Sequence, residues 1–177
     1  MMKKVLSALT IALSISACGG DRPEPPKAIK DIDPKIIQVD QAKVDGKSVL
    51  KVTLKLNGLS PSTDMFSAGS GMLNVTKGVL KYFPDQASDE VHFVLVAGLV
   101  DRYGNKSQAD VIEIPYLTSD LKKINFESNS FSEWGLLNLS QETKILHPVG
   151  REFIREFCNE ESNAKYADTF CTNSINL

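Results

Sequence analysis

Leu50, Val52, Leu54 and Leu56 alternate with Lys51, Thr53 and Lys55, a period of two that puts apolar side chains on one face of a strand and water-compatible ones on the other. Upstream, Ile37 and Val39 alternate with Gln38 and Asp40. Asp45-Gly46 lies between the two segments, a pair suited to the positive backbone angles of a tight turn, so a first hairpin is predicted. The run from Val91 to Val100 is apolar on both faces, the pattern of a central strand covered on both sides. Turn residues follow at Asp101-Arg102-Tyr103-Gly104-Asn105-Lys106-Ser107, and then a second alternating strand sets Ile112, Ile114 and Tyr116 against Val111 and Glu113. This pattern predicts a second hairpin.

Between the hairpins, Pro61 to Gly78 reads as an irregular loop. Its Ser67-Ala68-Gly69-Ser70-Gly71 stretch fails as a phosphate loop, because Met72-Leu73-Asn74 follows where a Lys-Ser/Thr ending is needed. It also fails as a nucleophile elbow around Ser70, since Ala68 and Met72 occupy the glycine positions. After Leu117, the groups Leu121/Ile124/Phe126, Trp134/Leu136/Leu137/Leu139 and Ile145/Leu146 are read as short strands. From His147 to Cys158 the period becomes helical. Val149, Phe153, Ile154, Phe157 and Cys158 form one stripe, Arg151, Glu152, Arg155 and Glu156 lie opposite, and Pro148 suits the first turn. A further short helix is expected over about residues 163 to 170.

The second hairpin resembles the last hairpin of bacterial immunoglobulin-like and fibronectin-type modules, in which an apolar strand runs into an Asp-x-x-Gly-Asn-x-Ser turn; Asp101, Gly104, Asn105 and Ser107 match. The resemblance implies an immunoglobulin-like antiparallel β-sandwich over residues 36–117, in a mainly β protein. Residues 118–177 would add short strands and a small C-terminal helical element. Such modules bind, space or present, so the resemblance implies no activity.

At the other end, Lys3 and Lys4 precede an apolar core from Val5 to about Ile15, and small residues lead to the cysteine in Ile15-Ser16-Ala17-Cys18. This segment resembles a bacterial lipoprotein signal peptide, with residues 1–17 removed. The resemblance implies that Cys18 is diacylated on sulfur and becomes the new N-terminus. The apolar run is too short to span a bilayer, which takes about 18 or more residues. Gly19, where an aspartate would favour inner-membrane retention, implies the outer membrane. The chain has three cysteines, an odd number for an exported protein. With Cys18 consumed, Cys158 and Cys171 remain as a pair, and a disulfide closing a loop of about 13 residues is worth on the order of 3 kcal/mol. Residues 18–35, charged and carrying four prolines, are expected to be an extended tether, some 16 residues reaching roughly 50 Å.

Loss of residues 1–17 removes Lys3 and Lys4, leaving 18 basic and 22 acidic residues and a formal charge of −4. A mild, well-mixed charge argues against a nucleic-acid binder and against electrostatic adhesion to an anionic membrane, so the lipid on Cys18 must supply membrane affinity. No cofactor or small-molecule substrate is indicated. A metal site would need more than the two histidines, His92 and His147. Neither histidine has a nucleophile beside it, and Asp85, Asp89 and Glu90 read as solvated loop charge. The expectation is a non-enzymatic lipoprotein on the periplasmic face of the outer membrane that binds or positions a protein partner in the cell envelope. Two other classes stay open: an inhibitor, immunity or exclusion lipoprotein protecting its own cell, and a hydrolase with a dispersed site around His92 or His147.

Overall fold

The computed structural model describes residues 24–128 and 130–174. The lipoprotein-like signal segment and Cys18 lie outside the described residues. Both hairpins form. Strand β1 (Ile36–Val44) turns through Asp45 and Gly46, with φ of 50° and 82°, into the antiparallel β2 (Lys47–Lys55). Strands β3 (Glu90–Val100) and β4 (Lys106–Leu117) pair antiparallel. Their turn is held by Asp101, whose carboxylate accepts from the amides of Tyr103 and Asn105 and from the Asn105 side chain at 2.8–2.9 Å. A register shift between Ile36 and Gln38 leaves Ile37 half exposed, so it does not share a face with Val39 as the alternation implied.

The hairpins do not stack as a sandwich. Strands β2 and β3 lie side by side and parallel, a pairing that needs a long crossover. The crossover is the segment expected as a loop: Pro61–Tyr82 is a 22-residue helix, α1. Ser60 caps it through the Thr63 amide and Pro61 takes its first turn. Met65, Ala68, Met72, Val75 and Val79 form its buried stripe. The glycines and serines that suggested a loop instead allow close packing; a β-carbon at Gly69 would stand 3.1 Å from Glu133 and one at Gly78 would stand 2.7 Å from Ile32.

One five-stranded mixed sheet in the order β1-β2-β3-β4-β5 results, with β5 reduced to Lys144–Ile145. The rest of the expected C-terminal strands are helical: α2 (Thr118–Leu121) and α3 (Glu133–Asn138) carry Leu121, Leu136 and Leu137 into the core. Helices α4 (Pro148–Asn159), α5 (Glu161–Tyr166) and α6 (Asp168–Ser174) follow. The immunoglobulin-like, mainly β reading is therefore corrected to a two-layer α/β fold, because the connection between hairpins became a helix that covers the sheet.

A single core joins Leu50, Val52 and Leu54 of β2, Phe93 and Leu95 of β3, and Ile112, Ile114 and Tyr116 of β4 to α1 and to Phe153, Ile154 and Phe157 of α4. Cys158 and Cys171 are bonded, Cα–Cα 5.6 Å, stapling α4 to α6 beside the edge-to-face pair Phe157–Phe170. The expected tether is partly folded: Ile29 is buried in the core, Ile32 packs against it, and Asp33 is buried. Apolar residues at positions 29 and 32, among prolines and charges, were enough to dock the chain.

Candidate functional site

The sheet face away from the core carries Val49, Thr53, His92, Val94 and Val96, all buried yet outside the core cluster. Strand alternation explains the set: in β3, residues 90, 92, 94 and 96 share this face while 91, 93 and 95 meet the helices. On it, His92 Nδ1 lies 2.6 Å from Glu113 Oε1 of β4 and Nε2 lies 2.8 Å from Glu90 Oε2. The second oxygen of Glu90 accepts from Lys47 Nζ of β2 at 2.6 Å. Four ionisable groups thus form a chain across three strands. The imidazole is almost wholly buried, the two glutamates are mostly so, and Lys47 stays half exposed.

Hydrogen bonding to Lys47, and secondarily to His92, holds the Glu90 carboxyl below the usual carboxylate range. The same contact raises Lys47. Both ring nitrogens of His92 are thus already at hydrogen-bond distance from a carboxylate oxygen, one from each flanking glutamate. The network borders a depression of about 170 Å³ whose other walls include Val44, Asp45, Pro115 and Lys144.

Of the residues singled out from sequence, Cys158 and Cys171 are brought together and Cys18 lies outside the described residues. His147 is a helix cap, its Nδ1 accepting from the Val149 amide at 3.3 Å at the start of α4. The two histidines share no partner. Glu90 is not loop charge but the first residue of β3. Asp89 ties β3 to the first hairpin by accepting from the Ser48 amide at 2.8 Å. Sequence reasoning missed Glu113 and Lys47 as partners of His92. The spacing of Glu90 and His92 was the available signal, since residues two apart in a strand share a face. No group of His, Cys, Asp or Glu among the described residues is arranged to hold a metal. No helix among them is long and apolar enough to cross a membrane.

At the sheet margin, among the described residues β1 pairs with β2 alone, so one side of its nine residues carries no neighbouring strand there. Ile37 and Val44 are exposed at its ends. Asp40 and Lys43 add charge, as edges that avoid self-pairing do.

These features define a two-layer α/β protein with a largely buried network of ionisable side chains, a disulfide and, among the described residues, one long sheet edge without a neighbouring strand. Compared with protein-family models, with curated proteins and with solved structures, the chain matches none.

Proposed function

We propose that the protein is a lipid-anchored, periplasm-facing component of the outer membrane that binds a protein partner of the cell envelope without catalysing a reaction. The observation that carries this reading is the Ile15-Ser16-Ala17-Cys18 sequence behind a basic and apolar leader. The Cys158–Cys171 disulfide supports it, since such bonds persist in oxidising compartments. The occupied imidazole of His92 and the capping role of His147 favour binding over hydrolysis, because neither is aligned with a nucleophile. Binding would proceed by addition of a partner strand along β1, whose backbone groups on the free side would supply the hydrogen bonds.

The test is expression of the full chain in a Gram-negative cell fed labelled palmitate, followed by membrane fractionation. The native chain should incorporate label and sediment with outer membranes, whereas Cys18→Ala should remain unlabelled and leave the membrane fraction. Equal labelling of both forms would sink the anchor. A photocrosslinker at Asp40 should capture a discrete envelope protein that one at the exposed Lys123, in the turn after α2, does not; identical adducts from both sites would sink the edge mechanism.

A further inference from the structure

The helical layer holds a pocket of about 220 Å³ where α1, α3 and the start of α5 meet, walled by Ser62, Phe66, Trp134, Glu160 and Asn163. The Phe66 ring meets Trp134 edge-on at 5.2 Å between centroids, and Tyr166 tilts against Trp134 at 5.4 Å. Phe66 and Tyr166 remain 37% and 52% exposed. Such aromatic surface is not scattered singly. It is a cluster, of the composition enriched at protein interfaces.

Asn163, buried to 3% exposure, organises the floor. Its Oδ1 accepts from Trp134 Nε1 at 2.9 Å, and its Nδ2 donates to Glu160 Oε2 at 3.1 Å and to Ser62 Oγ at 3.4 Å. One amide therefore sets the indole, the carboxylate and the first turn of α1 relative to one another. Because the indole N–H is taken up internally, Trp134 presents its π surface rather than a donor. Glu160 forms no ion pair among the described residues, and no lysine or arginine lines the pocket.

Aromatic faces attract cations, more strongly where water is partly excluded. The cluster already does so at its rim, where the Lys165 ammonium lies 5.2 Å from the centre of the Tyr166 ring. Inside the pocket the π faces and the carboxylate present negative potential with no cation to answer it. We propose that this pocket receives the side chain of a lysine or arginine presented by a protein partner, its alkyl stem against Phe66 and Trp134 and its charged head at Glu160. The inference stands apart from the lipid anchor and from the β1 edge, which lies in the other layer of the fold.

Trp134 is the chain's single tryptophan, so its fluorescence reports this pocket alone. In the full chain purified in detergent, a tetralysine peptide should shift Trp134 emission in a saturable way, and tetraglutamate should not. Glu160→Gln should weaken the response at least fivefold. Glu161→Gln makes the same charge change on the adjacent residue, which does not line the pocket, and should stay within twofold of the native chain. Phe66→Leu, which keeps an apolar wall without a π face, should also weaken binding while the far-ultraviolet circular dichroism is unchanged. Equal losses in the two glutamate variants would reduce the effect to general charge attraction and overturn the proposal. So would the absence of a saturable response, or tetramethylammonium binding as tightly as tetralysine, which would make the pocket a site for small cations.

Discussion

At Glu90 one carboxylate meets two side chains, Lys47 through one oxygen and His92 through the other. Its folded carboxyl titrates below its unfolded value, with Lys47 the larger cause. A group depressed on folding contributes stability above its unfolded pKa, and that contribution is lost as pH falls through the folded pKa. Glu90→Gln should therefore lower stability at neutral pH by roughly 1 kcal/mol, given the solvent around the lysine end. The deficit should shrink as pH drops through the acidic range in which carboxylates protonate; urea titrations at neutral and acidic pH would show it, and a deficit that grew on acidification would refute the assignment. Replacing Asn163 by Ala should cost about 1–3 kcal/mol by chemical denaturation, because it removes the buried amide that accepts from the part-buried Trp134 N–H and ties α3 to α5. At this scale the two-residue spacing of Glu90 and His92 was the available signal, but in the sequence Glu90 reads as solvated loop charge rather than as the start of β3. Glu113 gave no such signal, because its place beside His92 depends on the register of β4 against β3, which pairs Val94 with Glu113 across a 21-residue separation from His92.

Among the elements, α4 is placed by an approach too close for any side chain. A β-carbon at Gly150 would lie 2.2 Å from the Val111 carbonyl oxygen, the same oxygen that accepts from the Leu146 amide at 3.0 Å. Backbone atoms on a paired strand cannot retreat as a flexible side chain can, so Gly150→Ala should cost about 1–3 kcal/mol or more. A lowered Tm for this variant, with little change for Gly98→Ala, where nothing stands within 4 Å, would bear this out. Removing the disulfide by Cys158→Ser with Cys171→Ser should cost on the order of 3 kcal/mol, read as a lower Tm that added reductant reproduces in the native chain. Helix α4 was readable because its apolar residues recur at helical spacing next to a well-placed proline. Helix α1 has the same kind of stripe from Met65 to Val79, but its intervening serines, threonine and glycines have low helix propensity. Their small size is what tertiary packing uses, and packing outweighs propensity in a helix buried on one side.

For the whole molecule, the boundary between linker and folded body falls earlier than composition implied. Ile29 is buried in the core and Ile32 lies against α1, so a chain beginning at residue 36 should be less stable than one beginning at residue 24. Burial of Ile29 alone contributes about 1.5–3 kcal/mol, and paired thermal melts of the two chains would measure the difference; equal melting points would mean that the segment only rests on the surface. Of the segment 18–35 expected as a tether, residues 29–33 therefore belong to the folded body. The residue order alone determined what depends on local pattern: four strands in two hairpins, the turns at Asp45-Gly46 and Asp101–Asn105, helix α4, and the pairing left to Cys158 and Cys171 once Cys18 is set aside. Tertiary structure decided what depends on which surfaces meet. It made the Gly-rich connection a helix, set β2 parallel to β3 in one sheet instead of two sheets face to face, drew Ile29 into the core, and gathered His92, Glu90 and Glu113. The physical reason is common to all of these: a period of two states which face of a strand is apolar, but the layer that covers that face is chosen by how distant segments pack, and contacts between distant segments leave no local signature in the chain.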